Sequence, residues 1–150
     1  MNSLKNAITA RTYGVAAYNN YDIYIAQRAY DLADEAEDSG VIVTDRKEGY
    51  ALENTRAKHR AAFDSMRADA ILKLDLLSAA MDTYQSKEKV FSIASKKYEL
   101  GMISQNEFED AKDQLSIDYA AVVDAQIAFS KVYESFKIFV DKGVWLSTNS

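Results

Sequence analysis

The chain has 150 residues, with no cysteine, no proline, five glycines, 48% hydrophobic residues and a formal net charge of −5. Without cysteine there is no disulfide framework, thiolate nucleophile or zinc–thiolate site, and the acidic balance argues against nucleic acid, which needs a concentrated positive face. Abundant Ala, Lys, Glu and Asp without proline give the composition of an all-α protein, read here as one helical domain over 1–150.

The spacing predicts a first helix over 3–38, beginning near Ser3. Ile8, Val15, Tyr18, Ile25, Ala29, Leu32 and Ala36 fall on one stripe at three-four spacing, interrupted by Arg11 and Asp22. Ala10, Tyr13, Ala17, Tyr21 and Tyr24 form a second stripe beside it, so the helix is expected to touch neighbours on two sides. Tyr13, Tyr18, Tyr21, Tyr24 and Tyr30 are read as half-buried packing with hydroxyls reaching water, rather than as a stacking platform for a ligand. The helix ends in Asp31, Asp34, Glu35, Glu37 and Asp38, which oppose its dipole and call for a partner. An antiparallel hairpin through Ser39, Gly40, Val41, Ile42, Val43 and Thr44 would bring them beside Arg46, Lys47, Arg56, Lys58 and Arg60. The alternative is an acidic docking tip for a basic partner.

Between 46 and 100 the only glycine is Gly49, so no local residue forces a break. An unbroken helix of about 55 residues would run ~80 Å at 1.5 Å per residue. Phe63, Met66, Ala70, Leu74, Leu77, Met81, Tyr84 and Phe91 mark its apolar stripe, and the cluster Ile71, Leu72, Leu74, Leu76, Leu77 is the one place where a bend would fit. Gly101 then supplies a left-handed stop, with Lys96 and Lys97 complementing the helix dipole. Ser104 reads as the next N-cap, with Glu107 completing a capping box and Ile103 stapling onto Phe108. The last helix covers 104–142. Phe108, Ala111, Leu115, Asp118, Val122, Ala125, Phe129, Val132, Phe136 and Phe139 alternate three and four apart, as in a coiled-coil seam. Ala120, Val123, Ile127 and Tyr133 widen the seam toward a second neighbour, and Trp145 and Leu146 are expected to fold back after Gly143.

No catalytic constellation emerges. His59, the only histidine, sits among Arg56, Lys58 and Arg60 and is read as a surface residue rather than a metal ligand or general base. Asp22 and Asp118 interrupt two seams, either buried, to fix register or line a polar channel, or simply at an exposed edge. No run approaches the ~20 apolar residues of a membrane helix, and no segment has the parts of a secretory signal. An enzyme is not expected, nor a metal or cofactor.

Tyr98-x-x-Gly101-x-x-Ser104, followed by Phe108 and Ala111 and then by Ala125 and Ala128, resembles the periplasmic helix-turn-helix tip of the TolC-like outer-membrane efflux family. The ending Phe136-Lys-Ile-Phe-Val-Asp-Lys-Gly143-Val-Trp145 is similar to the close of that family's last repeat; together the likeness covers residues 80–146. The resemblance implies a trimeric tunnel in the periplasm and outer membrane, whose tip meets a periplasmic adaptor protein through Tyr98, Gly101, Met102 and Ser104. It also implies a second hairpin turn at Gly40, Val41, Ile42 and Thr44. Residues 30–40 align without gaps on 91–101, although Glu37 stands where Tyr98 would align. The chain lacks barrel strands of alternating polarity, so it would be either the helical part of such a channel or a stand-alone relative.

Two layouts follow. Local sequence favours an elongated antiparallel bundle of three long helices over 3–38, 46–100 and 104–142. The resemblance favours four helices, as two hairpins with a reversal between 68 and 82. Two functions follow as well: the tunnel and tip portion of an efflux or type I secretion channel, or a coiled-coil interaction or scaffold module without a transport role. Either would self-associate.

Overall fold

The structure, a computed structural model, describes residues 2–39 and 45–143. Those residues form five helices and no strand: α1 Asn2–Ala10, α2 Tyr13–Tyr18, α3 Tyr21–Asp38, α4 Asp45–Glu99 and α5 Gln105–Lys142. All-α architecture and the two long helices therefore stand as read. Helix α4 runs unbroken for 55 residues, so the reversal between 68 and 82 does not occur. The leucine cluster there divides by face instead, with Leu74 and Leu77 buried and Leu72 and Leu76 exposed.

The first helix is not one helix but three, and this corrects the three-helix layout. Thr12 is extended (φ −100°, ψ 148°) and separates α1 from α2. Asn20 (φ −85°, ψ 121°) separates α2 from α3. The second break is a side-chain cap: Asn20 Oδ1 accepts from the Ile23 N–H at 2.9 Å, while its carbonyl accepts from the Tyr24 N–H at 3.1 Å. Each break resets the helical phase, so the face that is buried is not the one the continuous spacing marks. Ile8, Ala16, Ile23 and Ala33 are inside, and Val15, Tyr18, Ile25 and Leu32 are exposed.

The chain divides into two compact units that share α4 and α5 in sequence: 71–132, and 2–70 with 133–143. In the second unit α3 lies antiparallel to the start of α4. Arg56 donates to Gln27 Oε1 at 2.7 Å, Gln27 donates to Asp31 at 2.7 Å, and the Tyr30 ring reaches to 3.5 Å of a Cβ placed on Gly49. One connection between the acidic end and the basic start thus runs from Asp31 through Gln27 to Arg56. Aromatic edges join the layers: Tyr13 meets Phe63 at 5.9 Å, and Phe63 meets Phe136 of α5 at 5.6 Å. Phe63 and Phe136 are fully enclosed, and burying each contributes roughly 1.5–3 kcal/mol.

The last carbonyls of α5 have no partners within the helix. Asn19 Nδ2 donates to the carbonyls of Val140 and Asp141, both at 3.1 Å, and Asn20 Nδ2 donates to that of Gly143 at 2.8 Å. Arg11 adds an ion pair to Asp141 at 2.6 Å. Gly143 sits at φ +65°, and a Cβ there would lie 2.3 Å from the Asn19 carbonyl oxygen.

In the 71–132 unit the two long helices meet along the seam read from the sequence. Leu74, Leu77 and Phe129 are buried, and Phe91, Phe108, Leu115 and Val122 are half-buried, as expected where one helix shields each side chain from one direction only. Val123 and Ile127, expected to meet a second neighbour, are exposed.

Replacing Gly143 by alanine combines left-handed strain with overpacking against backbone, and is expected to destabilise the second unit by ~2–5 kcal/mol. Urea denaturation of the variant would check this; an unchanged midpoint would show that the junction yields without strain.

Candidate functional site

The turn between α4 and α5 is built from two back-to-back end motifs. At the close of α4 the Gly101 N–H donates to the Tyr98 carbonyl at 2.9 Å and the Met102 N–H to the Lys97 carbonyl at 2.8 Å. With Gly101 at φ +69°, this pair of bonds is a Schellman cap. Lys96 and Lys97 lie in the last helical turn, where the dipole favours cations. At the start of α5 the Glu107 N–H donates to Ser104 Oγ at 3.3 Å, and Glu107 Oε2 accepts from the Ser104 N–H and hydroxyl, both at 2.8 Å. The capping box is thereby formed as the sequence predicts, and those two Ser104 bonds hold the Glu107 carboxyl below its ordinary value of 4.5.

Beneath the turn the Tyr98 ring stacks on Phe108 at 4.7 Å and 12°, and Phe108 meets Phe91 at 5.6 Å. This stack ties the helices together one turn below the tip. Above it, Leu100 is 75% exposed and Met102 67% exposed. On one flank Val90, Ile93, Ala94, Lys97, Ile103 and Glu107 line an open groove of about 260 Å³.

Tyr98, Gly101, Met102 and Ser104 are therefore brought together at one turn, with different roles. Gly101 and Ser104 fix the backbone, Tyr98 is largely committed to the stack, and Met102 is displayed. Leu100 was missed by sequence reasoning; its position between the last helical residue and the left-handed glycine is the signal that exposes it. Gly40, Val41, Ile42 and Thr44, like Trp145 and Leu146, lie outside the described residues.

Three other readings change. His59 is buried, only 9% exposed, and does not lie at the surface. It lines a cleft of about 600 Å³ with Asn20, Asp22, Thr55, Lys58 and Phe139. The tyrosines of the first segment are not uniformly half-buried: Tyr13 is, donating its hydroxyl to the Arg56 carbonyl at 2.8 Å, whereas Tyr18, Tyr21 and Tyr24 are exposed. Asp118 is half-buried in the seam and accepts from Gln114 at 3.3 Å, while Asp22 is exposed at the rim of the cleft.

Among the described residues, no three His, Cys, Asp or Glu side chains converge as metal ligands, and no helix is long and apolar enough to cross a membrane. Comparison with protein-family models, curated proteins and solved structures finds no match for this chain.

A Cβ at Gly101 would meet nothing within 4 Å, so Gly101→Ala is expected to lose only the left-handed preference, ~1–2 kcal/mol. Ser104→Ala should lose about 1 kcal/mol with the cap. Chemical denaturation would check both. Because the Glu107 pKa is depressed on folding, its contribution is present above the unfolded value and is lost as the pH falls through the folded value. A Glu107→Gln variant should accordingly show a smaller loss of stability on acidification.

Proposed function

We propose that the α4–α5 hairpin is a docking element whose tip binds a partner protein, in the manner of the tip of a TolC-like efflux or secretion channel engaging a periplasmic adaptor. What carries this reading is the combination at one turn of a backbone fixed by two caps and two large apolar side chains, Leu100 and Met102, left in water. A preorganised turn limits the entropy lost on binding, and exposed Leu and Met supply the area to be buried. On this reading the chain acts in the periplasm or at the outer membrane, as a self-associating and trimeric assembly.

A second reading has its own support. Leu72, Leu76, Val90, Ile93, Ile117, Val123 and Ile127 are exposed along the hairpin, more apolar surface than two packed helices can cover. These faces favour lateral association of hairpins, as in a coiled-coil scaffold module without a transport role.

Two experiments test the two readings. Titration of the chain with the helical hairpin of a periplasmic adaptor should give binding that weakens at least about tenfold, ~1.4 kcal/mol, in the Leu100→Asp/Met102→Asp double variant. Helix content by circular dichroism should be unchanged. Binding that is absent, or indifferent to the tip, would remove the docking reading. Light scattering on an Ile93→Asp/Ile117→Asp variant tests the lateral faces, which predict loss of self-association.

A further inference from the structure

His59 lies on α4 one turn before Phe63, and neither of its buried ring nitrogens has a hydrogen-bond partner. Its ring is stacked on Phe139 of α5, with centroids 4.6 Å apart and planes at 21°, and is tilted against Tyr13 of α2 at 5.8 Å. Imidazole therefore occupies a position that a phenyl ring would fill without leaving polar atoms unpaired. A neutral imidazole brings one donor and one acceptor to this place; an imidazolium brings two donors and a charge.

The surrounding charges do not accommodate that cation. Asp22 of α3 favours it through its field, but Asp22 is exposed at the cleft rim and makes no hydrogen bond to the ring. The other charged groups nearby are mostly cationic: Lys58 on the same cleft, Arg60 over the Tyr13 ring at 5.3 Å, and Arg56, whose guanidinium is engaged with Gln27. Asp64 is paired with Arg60, and Asp141 of α5 with Arg11. Stacking on Phe139 also favours a cation, yet a ring face accepts neither in-plane N–H.

We propose that His59 is an acid-operated switch: its protonation parts the imidazole from Tyr13 and Phe139 and loosens the packing of α2 and α5 on α4 at this point. Burial holds the imidazole below its ordinary value of 6.5, against the smaller opposing effect of Asp22. The sign follows. Between 6.5 and the lower folded value the unfolded chain binds the proton and the folded chain does not, so stability falls as the pH falls through this window. Above 6.5 this pH dependence fades over about one pH unit, as the unfolded chain also loses the proton.

The test uses the full chain. His59 is the only histidine, so its imidazole proton signals in NMR need no assignment by mutation. The signals should titrate below 6.5, and ring contacts between Tyr13 and His59 should vanish as they do. Urea unfolding between pH about 7.5 and about 5 should show the wild-type unfolding constant rising more than that of His59→Phe, about tenfold more for each pH unit separating the folded and unfolded values. His59→Gln, which does not titrate, serves as a second comparison should phenylalanine not fit. Titration at or above 6.5, ring contacts that persist after titration, or an undiminished pH dependence in both variants would overturn the proposal.

Discussion

The last turn of α5 presents carbonyl groups that no residue of its own helix can satisfy, and the second unit is arranged around meeting that need. Asn19 and Asn20 do so from the break between α2 and α3. The same Asn20 side chain serves both helices, accepting from the first turn of α3 while donating to the Gly143 carbonyl. Helix interruption and helix capping are thus one feature. A continuous first helix would have committed the backbone at 19 and 20 to its own hydrogen bonds and turned those side chains elsewhere. Gly143 completes the fit because only a residue without Cβ can approach the Asn19 carbonyl so closely.

The hairpin is organised on the opposite principle. Its turn is satisfied locally, by bonds spanning three to five residues, and asks nothing of the remainder of the chain. Aromatic contact between the helices stops at Tyr98 and the half-buried Phe108, and the residues beyond contribute exposed apolar surface instead. Rigidity without enclosure suits an element that meets another molecule. The unshielded flanks of α4 and α5 extend that character along the hairpin.

How legible this was in the sequence depended on whether the decisive interaction was local. The seam of α5, the continuity of α4 and the turn at 101–104 rest on periodicity, on the lack of breakers and on caps a few residues apart, and all three were readable. The breaks near Thr12 and Asn20 were missed: the Asn20 cap on Ile23 is local, but the contact that fixes its side chain is with Gly143, more than a hundred residues away. Missing those breaks put Tyr18, Ile25 and Leu32 on the wrong face. His59 was misread for a related reason: three cationic neighbours in sequence suggested the surface, whereas Phe139 and Tyr13, remote in sequence, enclose the ring. The asparagine pair flanked by tyrosines was the available signal, since Asn is a strong N-cap and a poor residue for a helix interior.

The separation between Asn20 and Gly143 has a consequence for assembly. The capping box joins residues three apart and the clamp joins residues 123 apart. By the logarithmic dependence of loop closure on length, the clamp begins with an entropic handicap of ~3 kcal/mol relative to the tip. Chain entropy accordingly favours forming the turn before the clamp, and pairing of α4 with α5 from Gly101 would shorten the effective loop that the clamp has to close. The turn is, by the same token, the part of the chain whose native bonds cost the least loop entropy to form.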